Sequence, residues 1–129
     1  RRAAARGVRT RLLVAHWSTA EDRLAPLRAL ERAANLEVAF VTIPPHSGGF
    51  IPFARVAHSK YLVVDEALAW IGTSNWSREY FYGSRNVGLL VRGGAVARRL
   101  ARLYDDLWDS SYTTRLDPDA SYPPPRVAE

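Results

Sequence analysis

His58, Lys60, Asp65, Gly72 and Asn75 stand at fixed intervals, His-x-Lys-x4-Asp-x6-Gly-x-x-Asn, inside the run AHSKYLVVDEALAWIGTSNWS. An imidazole can attack or protonate, an ammonium meets phosphate oxygens as a compact point charge, and a carboxamide adds two N–H donors. Together these groups describe half of a phosphodiester-cleaving site. At uniform residue usage such a five-position pattern arises by chance on the order of once in 30,000 chains of this length. A lone histidine beside a lysine is ordinarily plain surface, and the full pattern reverses that reading.

Lys60 is the only lysine, although Lys and Arg together number 18. Val56 to Val64 form a predicted strand, and residues i and i+2 of a strand project from one face. His58 and Lys60 are therefore expected to address a single anion together. Asp65, at the end of that strand and seven residues from His58, is expected to tie down the turn more than to touch substrate.

The elements that must hold these groups follow from the rest of the pattern. Arg1 to Arg6 look like the last turn of a helix, with Gly7 as a left-handed stop. Val8 to Ala15 predict a strand, and Ser18 with Glu21 predicts a capping box for a helix carrying Leu24, Leu27, Leu30 and Ala34. Pro26 falls in the second turn of that helix, which predicts a late start. Leu36 to Ile43 predict a second strand, parallel to the first because a helix separates them. The segment Pro44 to Pro52 must be a loop. After the Val56 to Val64 strand, a tight turn at Asp65 to Leu68 leads to a short strand, Ala69 to Ile71. A polar and aromatic loop, a strand at Val87 to Arg92 and an amphipathic helix at Ala95 to Trp108 complete the pass. The expected architecture is α/β, a mixed and mainly parallel sheet flanked by helices. Residues 1–116 form the lobe and residues 117–129 an irregular, proline-rich tail.

Composition bounds the partners. A chain of 129 residues with 47% hydrophobic content supports one domain with a real core. No apolar run approaches the roughly 18 residues that cross a bilayer. The absence of cysteine excludes disulfides and thiolate metal sites without fixing a compartment. A net charge of +5 favours anionic partners, nucleic acid or acidic lipid. A chain that starts at Arg1 and has no methionine reads as a piece of a longer polypeptide.

The motif residues resemble the phospholipase D superfamily, whose hallmark is His-x-Lys-x4-Asp followed by Gly-Ser-x-Asn or a near variant. Thr73 stands where many members have serine, which keeps the hydroxyl. ARGV and RLL around the first strand, IPFARVAHSKYLVVDE, IGTSNWS with Tyr80 and Phe81 behind it, and LWDSSY extend the likeness over most of Arg6 to Tyr112. The wording resembles the C-terminal half of the animal endolysosomal branch, 5′ exonucleases on single-stranded nucleic acid.

That resemblance implies an α-β-α sandwich, one lobe of a two-lobed enzyme. The partner is an N-terminal lobe of the same chain, or a second subunit, carrying another such motif. Two histidines face each other across the phosphate, one attacking to form a phosphohistidine and the other serving as acid and then base. The implied role of His58 is the acid and base. Lys60 and Asn75 hold non-bridging oxygens, and Thr73, Ser74 and Trp76 line the substrate site. No metal and no cofactor are implied, and an endolysosomal or secretory lumen is the implied location. The orienting carboxylate that many members place after the motif is missing, leaving Asn86, Asp65 or a backbone carbonyl for that job. Phospholipid as substrate, with a phospholipase D or transphosphatidylase activity, and an inactive anion-binding lobe are the alternatives.

Other residues carry weaker signals. His16 is read as structural and His46 as exposed. Trp76, Tyr80, Phe81 and Tyr82 either stack bases or pack against core and cleft wall, with packing the stronger reading. Arg98, Arg99 and Arg102, followed by Asp105, Asp106 and Asp109, read as a solvated helix face rather than a phosphate track. Asn75-Trp76-Ser77 also matches a glycosylation sequon, which is incompatible with phosphate binding by Asn75.

Overall fold

A computed structural model describes residues 1–128 of the chain. They divide into two compact units, one built from residues 1–57 with the stretch from Trp108 onward, the other from His58–Leu107. No helix among the described residues is long and apolar enough to cross a membrane.

In the first unit a short helix α1 (Arg2–Ala5) ends where Gly7 takes φ +87°, the left-handed conformation that glycine adopts without steric cost. Strand β1 (Thr10–Ala15) then pairs in parallel with β2 (Leu36–Val41), from Thr10 opposite Leu36 to Ala15 opposite Val41. Helix α2 (Glu21–Glu31) makes the crossover, as the helical spacing of Leu24, Leu27 and Leu30 predicts. Leu24, Leu36, Val38 and Phe40 are buried together with Ala4 and Leu116, each large side chain contributing about 1.5–3 kcal/mol by leaving water.

Two details of this unit depart from expectation. Ser18 lies in a 3₁₀ turn (His16–Thr19), and Ala20, which has no side-chain oxygen, precedes α2, so the capping box does not form. Pro26 does not delay the helix; it sits inside it, leaving the Asp22 carbonyl without its intrahelical N–H.

Among the described residues, the proline-rich stretch after Asp117 has no helix, yet it packs. The Tyr122 ring meets Phe40 edge-on at 5.3 Å, Arg28 donates to the Ala120 carbonyl at 2.6 Å, and the Phe53 N–H donates to the Val127 carbonyl at 2.8 Å.

The second unit is an antiparallel sheet of β3 (Tyr61–Val64), β4 (Leu68–Gly72) and β5 (Gly88–Arg92), with helix α3 (Arg78–Tyr82) between β4 and β5. Helix α4 (Gly94–Trp108) follows. Strand alternation gives this sheet two faces. Tyr61, Val63, Ala69, Ile71, Leu89 and Val91 share one, and α4 packs there, with Tyr61 and Tyr104 rings perpendicular at 6.4 Å and Ala69 and Ala97 both fully buried. Leu62, Trp70, Gly72, Gly88 and Leu90 share the other, where Leu62 and Leu90 stand exposed.

The mixed α/β class with flanking helices therefore stands, but the parallel share is smaller than expected. Only β1 with β2 is parallel among the named pairings; a three-residue turn between β3 and β4 obliges those strands to run antiparallel, and β6 (Thr113–Arg115) adds to β2 in the same sense.

Candidate active site

All five motif residues fall in the second unit, and the β3–β4 hairpin decides where each one stands. Asp65 and Glu66 occupy the centre of its turn with φ +50° and +53°, closed by the Ala67 N–H donating to the Val64 carbonyl at 3.0 Å. Aspartate tolerates this left-handed region better than most side chains. Asp65 thus lies at the far end of β3 from Lys60, about 16 Å away along an extended strand. Of the motif residues grouped as catalytic candidates, Asp65 is the one that stands in a turn, the position its place at the end of the strand suggests.

At the near end the strand is shorter than the sequence suggests. Regular pairing starts at Tyr61 rather than Val56, because β4 offers its last partner when the Gly72 N–H donates to the Lys60 carbonyl at 3.0 Å. The next N–H, of Thr73, turns to the Val87 carbonyl instead, also at 3.0 Å. His58 and Ser59 thus stand outside the ladder, and the His58 side chain is exposed.

Lys60 keeps in register with Gly72 and is half-buried. Its ammonium donates to the His58 carbonyl at 2.7 Å, which ties the cation to the backbone of the residue carrying the imidazole. Burial lowers the lysine's pKa below the ordinary value of 10.5. An ammonium has three N–H donors, and with one committed to His58, two are left to point at a bound anion. The neighbouring Tyr61 hydroxyl, on the opposite face, has its pKa raised by burial and then by the charge of Asp105.

The segment after β4 supplies the other candidates. Asn75 is half-buried, and its carbonyl accepts the Ser77 N–H at 2.8 Å, folding the chain back on itself. Thr73 and Ser74 do not present themselves to a ligand as expected. The Thr73 hydroxyl donates to Asn86 Oδ1 at 3.0 Å and accepts the Val87 N–H at 3.1 Å, while Ser74 is only 5% exposed. Thr73 holds the loop to the start of β5, and Ser74 is buried beneath it.

The same bonds settle the role of Asn86. Its amide nitrogen donates to the Tyr80 carbonyl at 2.7 Å and its oxygen accepts from Thr73, so its carboxamide locks α3 to the end of β4 and is not free to orient His58.

Aromatic residues flank this cluster in an arrangement the sequence did not disclose. Trp70 projects from the face that carries Gly72 and Gly88, and its indole lies where their side chains would be: a Cβ on Gly72 would sit 2.5 Å from the ring and one on Gly88 2.7 Å from its nitrogen. Trp76 leans on Trp70 with centroids 5.0 Å apart, and Phe81 on Trp76 at 6.0 Å. Of the core and cleft-wall packing read from the sequence, the core half does not hold: these rings pack on one another at the surface. Trp76 is 61% exposed and Tyr82 83%. The signal that could have shown it is the glycine pair, since Gly72 and Gly88 mark a surface cleared for a ring.

Outside the cluster, His16 sits half-buried in the 3₁₀ turn with its ring edge-on to Trp17 at 6.2 Å. His46 is exposed and accepts the Gly48 N–H at 3.0 Å. Arg98, Arg99 and Arg102 are exposed on α4, as a solvated face requires.

Comparison with known proteins places this geometry. The family described as "Cardiolipin synthase, PLD-like domain" matches residues 1–108. A probable phospholipase D of Caenorhabditis elegans is 36% identical over 129 residues, covering 90% of this chain and 23% of that protein. The human 5′-3′ exonuclease PLD4 is 38% identical over 130 residues, covering 89% and 26%. The chain thus spans about a quarter of the length of the curated relatives it matches. Among solved structures, NucT from Helicobacter pylori superposes with a TM-score of 0.64 at 14% identity, over 85% of this chain and 84% of that one, a likeness of fold. The motif, the fold and these matches agree: the chain belongs to the phospholipase D-like domain family.

Proposed function

We propose that this chain is the C-terminal catalytic lobe of a phosphodiesterase that works through a phosphohistidine, acting as a 5′ exonuclease on single-stranded nucleic acid. The observation that carries the reading is the Lys60 ammonium, tethered to the His58 backbone and partly desolvated, beside the exposed His58. A desolvated cation is attracted to a phosphate oxygen more strongly than a hydrated one, because less water screens it. The substrate class is supported by the relatives named 5′-3′ exonuclease, at 38% identity over most of this chain.

In this reading the histidine of a second motif, in the same polypeptide or in a second subunit, attacks phosphorus in line with the departing oxygen. The P–N bond forms as the P–O bond breaks, and the His58 imidazolium gives its proton to the leaving oxygen. Lys60 and the Asn75 amide hold the non-bridging oxygens, whose charge grows in the pentacoordinate state. Neutral His58 then takes a proton from water, the hydroxyl attacks phosphorus, and the P–N bond breaks to release the phosphate product and free the nucleophile. A single imidazole cannot occupy both sides of phosphorus, so this lobe alone is half of the machine.

The test is trapping. The full-length protein is mixed with a single-stranded oligonucleotide labelled at the scissile phosphate and quenched in base. An acid-labile phosphohistidine, with shortened product, is expected. Binding without adduct or product would instead identify an inactive anion-binding lobe.

A further inference from the structure

The aromatic stack beside the motif has no part in the chemistry above, and its construction points to a ligand. Packing alone does not explain it: Trp76 is held at 5.0 Å by Trp70 and at 6.0 Å by Phe81, yet 61% of it faces solvent. Burying an indole would contribute far more than leaving it out, so an exposed indole braced by two rings is an exposed but oriented surface. Its brace is fixed in turn. The Trp70 ring rests on Gly72 and Gly88, cross-strand partners that both lack the Cβ that would lift it.

The stack also adjoins the phosphate candidates. Lys60 is the register partner of Gly72, through the Gly72 N–H to Lys60 carbonyl bond of 3.0 Å, so its stem starts about 5 Å from the backbone over which the Trp70 ring lies. Trp76 directly follows Asn75 in the chain. A flat, oriented π-face beside the strand position that carries the Lys60 ammonium suits a nucleotide, whose base and phosphate are held a fixed short distance apart by the sugar. A lipid acyl chain is flexible and has no planar face for such a ring to meet.

We infer that Trp76 is a stacking platform for the nucleobase adjoining the scissile phosphate, with Trp70 as its buttress and the Gly72–Gly88 pair as the floor that sets its height. This rests on the phosphodiesterase reading above and narrows it, because it makes the base, and not only the phosphate, part of what the site recognises. Every base has a π-face, so the platform favours single-stranded nucleic acid with little regard to sequence.

The experiment uses the full-length protein and two single-stranded oligonucleotides, one normal and one with a stable abasic residue at the cleaved nucleotide. The readout is the ratio of kcat/KM between them. Stacking on one aromatic ring predicts a wild-type preference for the normal substrate of about 5- to 150-fold. Trp76→Leu, similar in apolar bulk to phenylalanine but without a π-face, is expected to collapse the ratio to within about 2-fold of unity, and Trp76→Phe to retain most of it. A wild-type ratio near one, or a Trp76→Leu variant that loses both substrates in the same proportion, overturns the platform while leaving the phosphodiesterase intact. Cleavage of neither substrate by the wild-type protein, with no phosphohistidine trapped, overturns the parent reading and the platform with it.

Discussion

Gly88→Ala puts the seating of Trp70 to a direct test. The added methyl would stand 2.7 Å from the indole nitrogen and 3.2 Å from the adjacent ring carbon, well inside van der Waals contact. The ring has no simple retreat, since its other edge already fills the space over Gly72. Gly88 is not among the glycines at positive φ, so alanine meets no backbone strain there and gains about 0.4–1 kcal/mol by restricting the unfolded chain. Overpacking of a seated ring costs about 1–3 kcal/mol. The contact outweighs the entropy gain, leaving a net destabilisation of about 1–2 kcal/mol. With a urea m-value near ~2 kcal/mol/M, the midpoint is expected to fall by about 0.5–1 M. The near-ultraviolet circular dichroism of the coupled Trp70–Trp76 pair is expected to change at the same time. A midpoint that is unchanged or higher, with an unaltered tryptophan signal, would refute the claim that the glycine pair holds the indole.

Three further outcomes follow from bonds and angles already described. Asn86→Ala removes the acceptor of the Thr73 hydroxyl and the donor to the Tyr80 carbonyl; water replaces part of each, so thermal melting is expected to show a loss of about 1 kcal/mol, and an unchanged melting temperature would contradict the assignment. Glu66→Gly relieves a non-glycine residue at φ +53° and is expected to raise the melting temperature by an amount equivalent to about 0.5 kcal/mol; a fall would show that the Glu66 side chain has work of its own. Beyond the alkaline limb set by loss of the His58 acid proton, kcat/KM is expected to show a second alkaline loss, below the ordinary lysine value of 10.5, that is absent in Lys60→Arg, whose charge persists. Because folding lowers this pKa, a protonated Lys60 is a constant penalty at neutral pH, and its stability cost is lifted only as pH climbs through the lowered folded value toward the unfolded one.

Strong periodicity made the parallel β1–α2–β2 unit, the hairpin and α4 legible in the sequence to within a few residues. What stayed hidden had no local signal. Strand β6 is only Thr113–Arg115, without apolar alternation, and exists because the β2 edge is open to it. Helix α3 reads as loop because Arg78–Tyr82 has too few residues for a helical period. Val56 to Ser59 carry strand-forming residues but lack a partner strand, and pairing decides what propensity only suggests. For the site, the motif singled out His58, Lys60 and Asn75 as the candidates for phosphate chemistry. The place of Asp65 at the end of its strand already marked it as a turn residue, but spacing could not show that the Thr73 hydroxyl is engaged by Asn86 and Val87 or that Ser74 is buried, because it says which residues neighbour each other and not how each is partnered.

The most direct measurement of the central claim is the kcat/KM of full-length His58→Ala on a single-stranded oligonucleotide, paired with its binding constant. Loss of an acid and base that acts in both steps predicts a fall of about 10²–10⁴-fold with binding kept within a few-fold, since the charge that holds the phosphate belongs to Lys60. Activity within about 3-fold of wild type would show that His58 does not carry the proton.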